Sequence, residues 1–120
     1  MVIIGAGPGG YEAASVAAAG GVEVTVVEET GIGGAAVLTD CVPSKTLIAT
    51  AEVTSTLRRA AELGLRHTET FEVDLDAVNF RVRQLAQAQS DDISRGLERK
   101  GVRLISGRAR LATGAPGHLH

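Results

Sequence analysis

Aromatic residues are nearly absent from this chain of 120 residues, which has one Tyr, two Phe and no Trp. Lys and Arg form no extended run, and the formal net charge is −2. A nucleic-acid partner would call for a basic patch and stacking rings, so we expect none. The sequence also lacks an apolar run of the roughly 18 residues that a membrane span needs, so we expect no such span.

Cysteine is scarce as well, because Cys41 is the only one. One thiol excludes a disulfide framework and fits a reducing compartment, so we expect a cytoplasmic protein. The three histidines, His67, His118 and His120, lack ligand spacing with any cluster of Cys or carboxylates. We therefore predict no metal site. The apolar start runs straight into a glycine turn, which indicates a strand rather than a signal peptide.

Short β-branched runs alternate with helical patterns along the chain. This order predicts an α/β, Rossmann-like domain with a parallel sheet, whose first strand is buried on both faces, and a long two-helix insertion. We expect a polar connector at residues 67–71 and a turn-like tail from residue 112. The strands are predicted at residues 2–4, 22–28, 102–106 and 108–111, the helices at residues 11–19, about 43–64 and about 76–100, and an irregular glycine loop at residues 30–40. The apolar side of the second helix is predicted to consist of Leu47, Ile48, Ala51, Leu57 and Ala61, and the apolar stripe of the third helix of Val78, Val82, Leu85, Ile93 and Leu97.

Residues 5–10 read Gly-Ala-Gly-Pro-Gly-Gly, which is the pattern G-x-G-x-x-G between a strand and a helix. An acid, Glu28, follows about 20 residues on, as dinucleotide-binding units require. Gly5 permits the tight turn, Gly7 lets a pyrophosphate approach, and Gly10 lets the helix lie close to the strand. We expect these glycines, Pro8 and Glu28 to bind NAD or FAD. The alternative is a glycine turn without a ligand and a solvated acid.

Residues 33–45 read Gly-Gly-Ala-Ala-Val-Leu-Thr-Asp-Cys-Val-Pro-Ser-Lys. This segment resembles the redox-active segment of the flavoprotein disulfide reductases, where the pattern is Gly-Gly-Thr-Cys-Leu-Asn-x-Gly-Cys-x-Pro-Ser-Lys. Cys41 falls on the second cysteine, but Ala36 falls on the first. One thiol cannot form an internal disulfide, so the chain looks like the branch without paired cysteines, which includes NAD(P)H–quinone reductases.

The resemblance implies FAD in the glycine turn, with the backbone of Gly33 and Gly34 near its diphosphate. Lys45 matches the lysine beside the flavin N5, although an exposed first-turn lysine is the plain alternative. Hydride would pass from NAD(P)H to the flavin and electrons onward to a quinone-like acceptor. Cys41 is either a flavin-adjacent thiolate or a small, buried, inert side chain. Ser44 is a plausible helix cap.

The resemblance covers nearly the whole chain. It implies that residues 1–120 are the incomplete N-terminal part of an FAD-binding domain, without the NAD(P)H-binding and dimerisation domains of a homodimer. We therefore expect the isolated chain to be inactive. Three alternatives stay open: a single-thiol enzyme that uses Cys41, a lipoamide-dehydrogenase-like enzyme, which Ala36 opposes, and a non-catalytic FAD-binding module.

Overall fold

The computed structural model describes residues 1–66 and 72–111. The predictions for the connector, the tail and the three histidines lie outside the described residues. The described part has three strands, four α-helices and one short 3-10 helix. In chain order they are β1 (Val2–Ile4), α1 (Pro8–Ala19), β2 (Thr25–Glu28), α2 (Gly34–Leu38), α3 (Cys41–Arg58), the 3-10 helix (Ala60–Leu63), α4 (Leu75–Arg99) and β3 (Arg103–Ser106).

The three strands form a parallel sheet in the order β1-β2-β3, which confirms the predicted α/β class. Ile3, Val26 and Leu104 lie side by side in register. A predicted fourth strand at residues 108–111 is wrong. The Gly107 N–H donates to the Glu28 carbonyl at 2.8 Å, and β2 ends at that residue. Because β2 ends at Glu28, the residues after Gly107 have no residue of β2 beside them with which to form strand hydrogen bonds.

The core lies on one face of the sheet, between the strands and helices α1 and α4. The other face is uncovered within the described residues, where Val2 is 60% exposed and Ile4 is 55% exposed. The expectation that β1 is buried on both faces is therefore not met in this part of the chain, because the described helices cover a single face. The buried core residues are Ala6, Ala14, Val24, Val26, Leu97 and Val102.

Helix α1 begins at Pro8, three residues before the predicted start. Proline suits the first helical position, since it has no N–H to leave unpaired and its φ is already helical. Gly9 and Gly10 therefore belong to the helix. Its end agrees with the prediction, because the N–H of Gly20 bonds back to the carbonyls of Val16 and Ala17 at 3.1 Å.

Helix α4 agrees with its predicted bounds to within one residue at each end. The Asp74 carboxylate caps its start by accepting the Ala77 N–H at 2.9 Å. Gly101, with φ +77°, ends it in the left-handed conformation that favours glycine. The buried stripe of this helix differs from the predicted one, because Leu85 is 42% exposed while Ala86 and the polar Ser90 are buried instead. Its members are Val82, Ala86, Ser90 and Leu97.

The segment predicted as an irregular loop at residues 30–40 contains α2, a helix of 5 residues. Helix α3 then begins at Cys41, earlier than predicted. Ser44 is not its cap, which is a correction. Its hydroxyl lies inside the first turn and donates to the Cys41 carbonyl at 3.3 Å. Asp40 occupies the cap position without a side-chain capping bond.

Helix α3 packs against α2 and α4, while α4 also packs against α1 and β3. The predicted apolar side of α3 is largely exposed, with Leu47 at 45% and Ile48 at 57%. Half-buried threonines on the same helix satisfy their hydroxyls on carbonyls one turn earlier. No described helix combines the length and the low charge that would let it cross a lipid bilayer.

Candidate functional site

The glycine turn joins β1 to α1. Gly5 has φ +91°, a conformation that side chains disfavour. Its N–H donates to the Val27 carbonyl at 2.8 Å, which ties the turn to β2. A Cβ built at Gly10 would overlap the Gly5 carbonyl oxygen and lie 3.0 Å from its carbonyl carbon. The third glycine of the pattern is thus where the helix touches the strand end.

The start of α1 opens into free space. Gly7 has φ −65°, and a Cβ built there would meet no atom within 4 Å. The first backbone bond of the helix runs from the Tyr11 N–H to the Gly7 carbonyl at 3.0 Å, so the preceding N–H groups of Gly9 and Gly10 have no partner in the helix. The first turn holds no acid. Such a helix end attracts an anion.

Glu28 is held rigidly beside this turn. Its Oε2 accepts the Ala6 N–H at 2.7 Å. Its Oε1 accepts the Thr30 N–H at 2.8 Å and the Thr30 hydroxyl at 2.9 Å. Burial raises the pKa of Glu28, but the hydrogen bonds from Ala6, Thr30 and Gly31 outweigh it and lower the pKa from 4.5 to about 2. Each carboxylate oxygen has more than one lone pair, so the group retains capacity for a ligand hydroxyl.

The structure brings the second glycine segment onto the first. The Gly33 N–H donates to the Ala6 carbonyl at 2.8 Å. Gly33 has φ +98° and Gly34 has φ +59°. A Cβ built at Gly34 would lie 3.0 Å from the Gly7 Cα. The predicted proximity of these glycines to the phosphate turn is therefore present in the backbone itself.

Cys41 and Lys45 lie one helical turn apart near the start of α3, and both are exposed. The exposure of Cys41 differs from the burial expected of an inert thiol, and the role of this thiol stays a prediction. Neither side chain has a hydrogen bond or ion pair to the glycine turn within residues 1–66 and 72–111. Ala36, at the place of the missing cysteine, is half-buried in α2. Within the same residues, no group of three or more His, Cys, Asp or Glu lies together.

An open cleft of about 230 Å³ lies at the carboxyl ends of the strands, next to Gly5 and Glu28. One side is formed by Arg108, whose guanidinium lies 3.7 Å from the Glu29 carboxylate. Parallel α/β sheets bind ligands at this edge. The sequence did not point to this part of the site, because Arg108 was expected in a strand. The full lining is Ile4, Gly5, Val27, Glu28, Glu29, Gly107, Arg108 and Ala109.

A family model described as pyridine nucleotide-disulphide oxidoreductase matches residues 1–117. The chain belongs to the pyridine nucleotide-disulphide oxidoreductase family. It is 49% identical over 121 residues to the NAD(P)H dehydrogenase (quinone) of Mycobacterium tuberculosis, covering 98% of this chain and 24% of that protein. It is 36% identical over 110 residues to the dihydrolipoyl dehydrogenase of Chlamydia muridarum, covering 92% of this chain and 23% of that protein.

Two solved structures agree with the fold. The crystal structure of LpdA from Mycobacterium tuberculosis superposes with a TM-score of 0.87 and 47% identity over 98% of this chain and 25% of that one. The flavoprotein disulfide reductase RclA from Escherichia coli superposes with a TM-score of 0.71 over 92% of this chain and 22% of that one. At 22% identity, the second shows the fold alone.

The chain therefore spans about a quarter of the length of the relatives it matches. Membership of the oxidoreductase family confirms the predicted flavoprotein class, with FAD as its cofactor, and the Rossmann-like fold. The glycine turn fits such a cofactor, because it combines open space over Gly7 with unpaired N–H groups. The roles of the single residues stay predictions.

Proposed function

We propose that this chain is the FAD-binding part of a larger NAD(P)H-dependent oxidoreductase that reduces a quinone-like acceptor without an internal disulfide. The observation that carries the proposal is the contact between the two glycine segments, with Gly34 against Gly7 at the open start of α1. Ala36 stands where the disulfide reductases have their first cysteine, and Cys41 stands where they have their second. This supports the proposed absence of an internal disulfide, because one thiol remains where those enzymes have two. The quinone-reducing relative supports the choice of acceptor.

The residues of the turn would hold the diphosphate and the adenosine. The Gly9 and Gly10 N–H groups donate to the diphosphate, and the missing side chain of Gly7 leaves room for it. Glu28 accepts the ribose hydroxyls, and its charge disfavours a 2′-phosphate. The cleft between Gly5 and Arg108 has space for the nucleoside.

The start of α3 would lie beside the flavin ring of the cofactor. Bound FAD supplies two-electron hydride chemistry. Lys45 places a positive charge beside the flavin N5, where it stabilises negative charge on the reduced ring. Cys41 has no second thiol within this chain to pair with, so the proposed electron transfer does not require it.

The lengths of the relatives support a larger protein with further domains. We propose that these domains bind NAD(P)H and form a homodimer in the cytoplasm, and that residues 1–120 are an incomplete FAD-binding domain. The uncovered sheet face at Val2 and Ile4 is consistent with a further layer of structure there.

The test is the quinone reductase activity of the full-length protein that contains this chain, with NADH and a soluble quinone. We expect Cys41→Ser to retain most of the activity and Lys45→Gln to lose much of it. Ser44→Ala is the matched control, since its hydroxyl contacts the Cys41 carbonyl in the same turn. A loss of more than about tenfold in Cys41→Ser, roughly 1.4 kcal/mol of barrier, would contradict the proposal.

A single-thiol enzyme is the second candidate, because Cys41 is exposed at the first residue of α3. Such an enzyme would use a sulfenate or a mixed disulfide with a small thiol. It predicts the opposite result, namely that Cys41→Ser loses its activity while Ser44→Ala keeps it.

A further inference from the structure

Ser90 lies on the buried stripe of α4 and is 5% exposed. Its hydroxyl behaves differently from those of other helical residues here. Several of them donate to the carbonyl four residues earlier in their own helix, as do Thr46, Thr50, Thr54 and Ser94. The Ser90 hydroxyl instead donates to the Ile32 carbonyl at 2.6 Å, across 58 residues of chain.

The peptide group that Ser90 contacts is held on both sides. The Ile32 carbonyl and the Gly33 N–H belong to one planar peptide unit. The carbonyl accepts from Ser90 on α4, and the N–H donates to the Ala6 carbonyl in the phosphate turn at 2.8 Å. A single peptide group therefore bridges the centre of α4 and the phosphate turn.

The peptide group between Ile32 and Gly33 lies one residue before Gly34, whose backbone approaches Gly7 in the phosphate turn. Gly33 and Gly34 have no side chains to anchor them, and glycine has the largest backbone freedom to lose. Their approach to Gly7 thus depends on what holds the backbone before them. Removing the Ser90 hydroxyl would leave the Ile32 carbonyl without that partner, and the bond from the Gly33 N–H to Ala6 would hold this peptide group alone, so the segment would be less firmly fixed against Gly7.

We propose that Ser90 is a positioning residue of the cofactor site, which fixes the Gly33–Gly34 backbone against the phosphate turn without contacting the cofactor. The inference rests on the proposed function, in which the FAD diphosphate lies on that turn. It adds a residue from α4 to the phosphate-binding part of the site, whose other residues, Gly7, Gly9, Gly10, Gly33 and Gly34, all precede α3. It also couples the packing of α4 to the affinity for FAD.

The experiment measures FAD binding to the deflavinated full-length protein by flavin fluorescence, at a temperature where circular dichroism shows every variant folded. Ser90→Ala should raise the Kd for FAD by about fivefold or more, since a buried acceptor loses its partner. Ser90→Thr keeps the hydroxyl and should restore the affinity. Ser94→Ala is the matched control, because it removes a hydroxyl one turn later that bonds only within α4.

A Kd for Ser90→Ala within about twofold of the wild type, or an equal rise in Ser94→Ala, overturns the inference. A merely structural role would lower thermal stability but leave the Kd of the folded protein unchanged. If Ser90→Ala does not fold, Ser90→Cys carries the test, because it is close in shape and a weak donor, and its Kd should also rise. Failure of the wild type to bind FAD would instead refute the proposed function.

Discussion

Two glycines of the phosphate turn have opposite structural surroundings, which predicts opposite effects of substitution. At Gly10, an added Cβ would overlap the carbonyl oxygen of Gly5, a backbone atom that no side-chain rotation can move aside. Helix α1 would have to shift away from β1, although Ala6 in the turn and Ala14 on α1 are fully buried. Overpacking of this kind costs about 1–3 kcal/mol, and we expect Gly10→Ala near the upper end.

At Gly7, the same perturbation meets no atom within 4 Å, and φ is −65°, which any residue adopts. Gly7→Val should therefore lower the stability of the deflavinated protein by no more than about 1 kcal/mol, the order of the difference between glycine and an apolar residue at a helix N-cap. The new side chain fills the space where the diphosphate must lie. We expect the variant to purify without FAD.

The assay combines thermal unfolding of the deflavinated full-length protein with the flavin content of the purified protein. Gly10→Ala should lower the unfolding midpoint by about 3 °C. Gly9→Ala is the control for stability, because Gly9 is exposed in the same helix turn with no atom within 4 Å of an added Cβ. An unchanged midpoint in Gly10→Ala would refute the packing argument, and a full complement of FAD in Gly7→Val would refute the phosphate site.

Two further predictions concern Glu28 and the isolated chain. The low pKa of Glu28 stabilises the fold above its unfolded value of 4.5, and that contribution is lost as the pH falls toward 2. The difference in unfolding free energy between the wild type and Glu28→Gln should therefore shrink over that range, and a constant difference would contradict the hydrogen-bond geometry. The isolated chain of 120 residues has one G-x-G-x-x-G turn, so with FAD added it should oxidise NADH no faster than free FAD. Saturable turnover in a stopped-flow assay would mean that a nicotinamide site exists in this chain.

Local patterns were sufficient to locate the three strands, α1 and α4, although they also predicted a strand at residues 108–111 that does not form. β1 and β2 are rich in β-branched residues, β3 lies between Gly101 and Gly107, and α4 has both an acidic cap and a terminal Gly101. Each signal therefore lies within a few residues of the element that it sets. The glycine turn could be predicted for the same reason, since the motif and its flanking elements are contiguous.

The rest depends on contacts between distant residues. Three glycines made residues 30–40 look irregular, yet α2 forms there, with Gly33 bonded to Ala6 and Val37 buried. Ser90 carries no local signal, because a serine on an apolar stripe looks like an interruption until its partner Ile32 is known. The apolar stripe of α3 correctly predicts a helix, but it does not predict which part of the protein covers that stripe, and its residues are largely exposed in the described structure.

The central claim is that this chain holds FAD in an oxidoreductase that works without a thiol relay. An anaerobic titration of the FAD-loaded full-length protein with NADH, followed by visible absorption, tests it most directly. The account predicts that the flavin band bleaches with the first two electrons and that no long-wavelength charge-transfer band appears, since Ala36 leaves no disulfide to reduce. Growth of that band at the two-electron stage would contradict the account, as would a purified protein that carries no FAD.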